Sequence, residues 1–235
     1  MLQNGFKKIV LAIPHATRNF DLTLWDDAAR VSQDADRWTD WFTDQLFDWK
    51  HSHIASVIGK VSRFDCDLER LENDPLEAVG RGRFYTQSHS GARRSLSPEF
   101  IEFGLAQWTG YRNLLVDELR PGALLIDGHS FPSDVHPVDI CIGFNSDWSS
   151  PSKPMLAMVI DHFEQHGFSF GVNQPFSNSI TPDAGFDYKS MMIELNKRIY
   201  MDETTLRLSI GALTVKRCLK SLYRKLLGLT DFSSS

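Results

Sequence analysis

A chain of 235 residues with 42% hydrophobic residues, 16 Phe and 6 Trp can fill a sizeable core, as one large α/β domain or two small ones. Its formal charge of -5 gives no global argument for nucleic-acid or membrane binding, and no segment approaches the ~20 apolar residues of a membrane span. Cys66, Cys141 and Cys218 are scattered and form no CxxC pair, so neither a disulfide framework nor a thiolate zinc site is indicated; with no signal-like apolar stretch near the N-terminus, a reducing, cytoplasmic setting is expected.

Residues 7–13, KKIVLAI, predict a first buried strand that ends at Pro14 and His15. Over residues 38–49, Trp41, Phe42, Leu46 and Trp49 recur at helical spacing, which predicts a helix carrying Asp40 and Asp44 on one face. A strand over 53–61 runs into SRFDCDLER, residues 62–70, a segment dense with charge. Pro98 opens a helix through Phe100, Phe103, Trp108, Leu115 and Leu119 that stops before Pro121 and Gly122. The apolar run 124–126 reads as a buried parallel strand that breaks off in Asp127, Gly128, His129 and Ser130. Strands at 140–144, 168–172 and 190–195 follow, with a helix at 155–165 between the first two.

A last helix is expected over about 204–228. Lys216, Arg217, Lys220, Arg224 and Lys225 alternate there with Leu213, Val215, Leu219, Leu222, Leu226 and Leu227, the pattern of an amphipathic closing helix docked by its apolar stripe. Strands alternating with helices imply right-handed crossovers and a mixed, mostly parallel sheet covered on both faces. No internal repeat or linker-like stretch divides the chain, so residues 1–235 are read as a single domain of the α/β class.

In open α/β sheets ligands gather beyond the carboxyl ends of the strands, and two histidines, His15 and His129, stand after separate apolar runs. A hydrolytic zinc site needs about three protein ligands from His and carboxylates, an open position, and a nearby carboxylate to take a proton from water. His15, an acid from the Asp40 and Asp44 helix, His129 and Glu194 can supply these parts. Glu194 stands out because MMIELN sets a carboxylate inside an apolar strand, where it is costly unless paired, metal-adjacent or catalytic.

A competing constellation is Ser130 in GHSFP, which is similar to a GxSxG nucleophile elbow but has Pro132 at the final glycine position. His162 and His166 lie four apart on a helix, yet Glu164 is out of HExxH register, so they read as a solvated helix face. His51 and His53 at a helix-to-strand junction need no functional account, and no nucleotide-binding glycine motif occurs.

Taken in order, IPHA, DWFTDQLF, SRFDCDLER, LLIDGHSFPSD, DICIGFN, NQPF and MIELNKRIYMDE resemble the N-formylglutamate amidohydrolase family over roughly residues 9–203. That family belongs with the zinc carboxypeptidase-like hydrolases, which include aspartoacylases and share a mixed sheet flanked by helices. The resemblance implies one zinc ion with His15 and His129 as ligands, and Glu194 as general base. In those relatives the carboxylate ligand usually lies three residues after the first His, where this chain has Arg18. Asp40 is therefore taken as the third ligand, with Asp44 as second choice.

Arg63 and Arg70 match the arginines of the related SRY..DLNR pattern, which hold substrate carboxylates by a planar pair of hydrogen bonds. Asn173 is expected to assist them, Asp67 to orient an arginine, and Arg63 also to stabilise the oxyanion. Glu69 replaces the asparagine of the pattern. The implied activity is hydrolysis of a small N-acylated acidic amino acid, N-formyl-L-glutamate giving formate and glutamate, as in histidine degradation. The implied partner is this small acidic molecule, with no nucleic acid and no membrane; the oligomeric state is not legible. Two other readings stay open: a serine hydrolase using Ser130, and a non-catalytic relative that binds a metal or a carboxylate.

Overall fold

β1, Ile9–Ile13, is buried at every position. Ile9, Leu11 and Ile13 enter one apolar core, while Val10 and Ala12 enter a second core on the opposite face. A strand covered on both sides has no solvated position to alternate with, which is why KKIVLAI reads as an unbroken apolar run. Each such aliphatic side chain contributes about 1.5–3 kcal/mol relative to exposure. The computed structural model describes residues 5–229; the ends of the 1–235 span, residues 1–4 and 230–235, lie outside the described residues.

β1 stands between β2 (Ile54–Ile58) and β3 (Leu124–Phe131), parallel to both. The sheet continues through β6 (Lys189–Asn196) to β4 (Ile140–Gly143) and the edge strand β5 (Phe170–Val172), in the order β2-β1-β3-β6-β4-β5. The β4–β6 pairing is antiparallel and the others in this sheet are parallel. The result is one domain built on a mixed, mostly parallel six-stranded sheet with helices on both faces. α3 (Pro98–Glu118) covers one face through Tyr111 and Leu115. α2 (Thr43–Phe47), α4 (Lys153–Gln165) and α5 (Gly211–Leu226) cover the other through Phe47, Val159 and Leu219.

Three expected elements differ by more than the shifts of one to three residues seen at other element ends. The helix expected over 38–49 is broken: α1 (Ala28–Trp38) ends before Asp40, and α2 begins after Phe42, whose φ of 64° is left-handed. The break has a tertiary cause, because the Asp40 amide donates to the His15 carbonyl at 3.0 Å and so leaves the helical pattern to join the end of β1. Asp40 and Asp44 therefore do not share a helix face; Asp40 is buried in the turn and Asp44 lies half-buried in the first turn of α2.

β3 does not stop at Ile126. It runs to Phe131, paired residue by residue with β6, so that Asp127, Gly128, His129 and Ser130 are strand residues. Gly128 has no side chain because the Phe47 ring of α2 lies 3.0 Å from where a Cβ would stand. The last helix starts at Gly211 rather than 204. The preceding residues form a hairpin of β7 (Met201–Asp202) and β8 (Arg207–Leu208), whose turn is closed by Asp202 Oδ1 accepting from the amides of Thr204 and Thr205 and by Leu206 at a φ of 53°.

α5 docks by Val215, Cys218, Leu219, Leu222 and Tyr223, and the Tyr223 hydroxyl donates to the Phe47 carbonyl at 3.2 Å. Its neighbour α4 corrects another expectation: His162 is fully buried against α5 and is not on a solvated face. Among the described residues no helix is long and apolar enough to cross a membrane.

The docked stripe makes a stability prediction. Leu219→Ala, at a position with no exposure, should lower unfolding free energy by about 2–5 kcal/mol. Leu213→Ala on the same helix, at a position 54% exposed, should stay within about 0.5 kcal/mol of wild type in urea melts.

Candidate active site

The carboxyl ends of β1 and β3, the α1–α2 turn and the long segment 59–97 after β2 converge on a group of buried ionisable side chains. His15 follows β1, Asp40 occupies the turn, Asp67 comes from the long segment, and Asp127 and His129 come from β3. Strand alternation puts Asp127 and His129 on the same face, and the parallel register sets Glu194 of β6 directly beside His129. All six are no more than 8% exposed.

Each imidazole is held from behind by a carboxylate. His15 Nε2 lies 2.8 Å from Asp67 Oδ1, and His129 Nε2 lies 2.9 Å from Asp127 Oδ1. Asp127 is fixed in turn, its Oδ2 accepting from the Ile180 amide at 2.9 Å. With the Nε2 atoms so engaged, both Nδ1 atoms turn toward Asp40 Oδ2, at 3.7 Å from His15 and 3.1 Å from His129. One ligand atom from each of His15, Asp40 and His129 lies within 4.8 Å of the others.

Two atoms in this group are buried without a hydrogen-bond partner, His15 Nδ1 and Asp40 Oδ1. Buried polar atoms are rarely left so. Two imidazoles and one carboxylate, with each ring's second nitrogen on a carboxylate, form the donor set and supporting shell that suit a zinc-like divalent cation. Two further groupings, His15 with Asp67 and Glu69, and Glu69 with Asp127 and His129, use carboxylates that already engage the Nε2 side.

The electrostatics follow the same pattern. Burial disfavours charge on His129, but Asp127 and Glu69 beside it outweigh burial and hold its pKa well above the ordinary value. Burial likewise opposes ionisation of Asp40, and the hydrogen bond from His129, the adjoining His15 ring and the Arg63 charge reverse the balance and lower its pKa. Glu194 goes the other way: burial raises its carboxyl to about 8, and its Oε2 is buried without a partner.

Asp40, His129 and Glu194 open onto a cavity of about 450 Å³ that is also lined by Arg63, Arg70, Arg81, Glu69, Trp38 and His89. Arg63 and Arg70 each approach Asp67 Oδ2 at 3.5 Å, so Asp67 braces two arginines as well as His15. Glu69 Oε1 is 3.8 Å from His129 Nε2.

Several expected residues are not brought in. Asp44 is outside the group; Arg18, which was not expected to bind a metal, pairs with Asp36 at 3.0 Å. Asn173 does not line the cavity; it is exposed and its Oδ1 accepts from the Phe144 amide at 2.9 Å. Ser130 reaches the cavity, but its Oγ has no hydrogen-bond partner and both nitrogens of the neighbouring His129 are engaged by carboxylates. β3 also continues as a strand there, without the sharp turn of a nucleophile elbow.

Arg81, Trp38 and His89 line the cavity without having been singled out in the sequence, and Asp127, named there at the end of the apolar run, had been given no role. Asp127 alone carried a usable signal, its position two residues before His129 on one strand face.

Against this geometry, the model of the family described as N-formylglutamate amidohydrolase matches residues 7–201. The chain belongs to that family. It is thereby one of the amidohydrolases, enzymes that cleave amide bonds by water. The structure is similar to the crystal structure of N-formylglutamate amidohydrolase from Ralstonia eutropha JMP134, with a TM-score of 0.81 at 15% identity over 97% of this chain and 95% of that one. It is also similar to the crystal structure of a gene product from Agrobacterium tumefaciens, with a TM-score of 0.67 at 16% identity over 95% and 92% of the two chains. No curated relative matches the sequence. At these identities the likenesses speak for a shared fold.

The bracing of His129 by Asp127 can be tested in chelator-treated protein by NMR titration of the ring. Wild-type His129 should stay protonated well above the ordinary histidine range, and Asp127→Asn should lower its pKa, because only Glu69 and Asp40 then oppose the effect of burial.

Proposed function

We propose that this amidohydrolase cleaves a small N-acylated acidic amino acid, with N-formyl-L-glutamate as substrate, and that it uses one zinc ion held by His15, Asp40 and His129. The observation that carries this reading is the pair of carboxylate-backed imidazoles facing Asp40, with His15 Nδ1 and Asp40 Oδ1 both buried and without a hydrogen-bond partner. Bound there, zinc supplies Lewis acidity toward a water and toward the acyl carbonyl.

The chain's own groups do the rest. Glu194 takes a proton from the attacking water at Oε2 and returns it to the nitrogen of the leaving amino acid. Its pKa of about 8 suits a group that must both take and release a proton near neutrality. The carbonyl oxygen, which becomes negative on attack, faces the Arg63 guanidinium, a preorganised charge that needs no rearrangement as the oxyanion forms. Arg70 binds a substrate carboxylate by its planar fork, and Arg81, on the same cavity wall, supplies a third guanidinium for an acid with two carboxylates.

Glu69 sets a counter-charge beside His129 and limits how many anionic groups the cavity accepts. The half-buried stack of Trp38 on His89, 4.4 Å between ring centroids, walls the pocket against bulkier acyl groups and favours formyl.

Metal analysis together with a panel of N-formyl and N-acetyl amino acids tests the proposal. The purified protein should carry about one transition-metal ion per active site and hydrolyse N-formyl-L-glutamate in preference to its acetyl analogue. Chelation should abolish turnover, and His129→Ala should lose the metal. Glu194→Gln should keep it while kcat falls by roughly 10²–10⁴-fold. Metal retained by His129→Ala, or turnover that survives chelation, would sink the reading.

A second prediction concerns substrate carboxylate binding. Arg70→Ala should raise KM by roughly 10- to 100-fold, the scale of a lost charge-assisted hydrogen bond, with a smaller effect on kcat. An unchanged KM for the acidic substrate would remove Arg70 from that role.

A further inference from the structure

Away from the carboxyl edge of the sheet, α4 and α5 bring together His162, His166 and Cys218, with one ligand atom from each within 4.8 Å of the others. We infer that these three residues form a second metal site, for a thiophilic divalent cation of the zinc type, which pins the basic helix α5 to α4. This site is independent of the catalytic proposal and shares no residue with it.

The spacing is the first argument. His162 and His166 are four residues apart at the end of α4, so both rings stand on one side, with centroids 4.3 Å apart. The third donor comes from a different element: Cys218 Sγ lies 3.6 Å from His162 Nε2. Two imidazoles from one helix and a thiol from its neighbour give a mixed nitrogen and sulfur set, which selects zinc-like ions over magnesium or calcium.

Ring orientation is the second argument. His166 Nδ1 is 2.8 Å from the His162 carbonyl, which places the ring proton on Nδ1 and leaves Nε2 with its lone pair. His162 Nε2 sits 2.9 Å from the Cys218 carbonyl. Backbone carbonyls commonly orient metal-binding imidazoles in this way. If Nε2 is the ligating atom it carries no proton, and His162 gives up that contact at the cost of one hydrogen bond.

Access and field are the third. His162 and Cys218 are buried, whereas His166 is exposed and forms the C-cap of α4, so an ion can enter from solvent at the negative end of the helix dipole. Binding replaces the Cys218 S–H bond by a metal–sulfur bond and releases the proton to water. Three protein donors leave the fourth tetrahedral position to water.

Sulfur gives the test its specificity, because the proposed catalytic ligands are nitrogen and oxygen only. Cobalt(II) is titrated into the chelator-treated full chain, and the near-ultraviolet thiolate-to-cobalt charge-transfer band is followed. Wild type should develop the band, and His166→Ala should lose it and bind one cobalt fewer per chain. His166→Ala alters an exposed side chain and so tests the site without disturbing the core; Cys218→Ser should lose the band as well. Absence of the band in wild type, or its survival in either variant, overturns the site.

Discussion

The structure depends on one constraint: ionisable groups buried at the carboxyl edge of the sheet must be paired, because an isolated charge there would cost several kcal/mol. Asp67 with His15, and Asp127 with His129, meet that constraint at hydrogen-bond distance. The pairs then dictate their surroundings. Asp127 requires the Ile180 amide, Asp67 draws in Arg63 and Arg70, and Asp40 must leave the helical path to reach the histidines. Even Gly128 belongs to this arrangement, since the Phe47 ring lying on it seats α2, and with it the turn that carries Asp40.

The sheet's mixed topology serves the same edge. β6 runs parallel to β3, so Glu194 comes level with His129, and β4 then closes against β6 in the opposite sense. A parallel neighbour brings its carboxyl end to the same side as β3, so a single register match is enough to put a proton-transfer group next to an imidazole. A slip of one residue would turn Glu194 to the opposite face, into the core that holds Ile193 and Leu195.

Legibility in the sequence followed the strength of the local signal. The buried strands were legible because a short unbroken apolar run bounded by turn residues suits little besides a strand covered on both faces, and Glu194 was legible as one charge inside such a run. His15 and His129 were legible as polar residues that end apolar runs, although β3 continues past its last aliphatic because pairing with β6 persists when the side chains turn polar. Asp40 was named as a ligand, but its setting was hidden: the aromatics from Trp38 to Trp49 mimic one helix, and the break is caused by a backbone hydrogen bond to His15, a tertiary contact that periodicity cannot register. Arg81, Trp38 and His89 come together only through the irregular segment 59–97 and the end of α1, where no repeating pattern marks the inward side. His162 was misread for a related reason, since α5, which buries it, lies more than fifty residues away.

Charge balance links these features to the proposed chemistry. Asp40, Asp67, Asp127 and Glu194 are all buried, and the guanidiniums facing them belong to side chains still partly open to solvent. The cluster therefore carries an excess of buried negative potential, which it can relieve in two ways. Protons are the first: Asp127 and Glu69 raise the pKa of His129, and burial, with Asp40 and Glu69 adding to it, raises that of Glu194, so both move charge in the positive direction. The proposed divalent cation at His15, Asp40 and His129 is the second, and it would act on the same potential. The two compete, because a protonated Nδ1 has no lone pair to offer, so loading the site must release the His129 proton. The field that raises the pKa of His129 when no cation is bound is thus the field that would attract the cation. Asp127 and Asp67 then act as the reservoir of negative charge for either occupant, and for that reason they need to be as deeply buried as the histidines they hold.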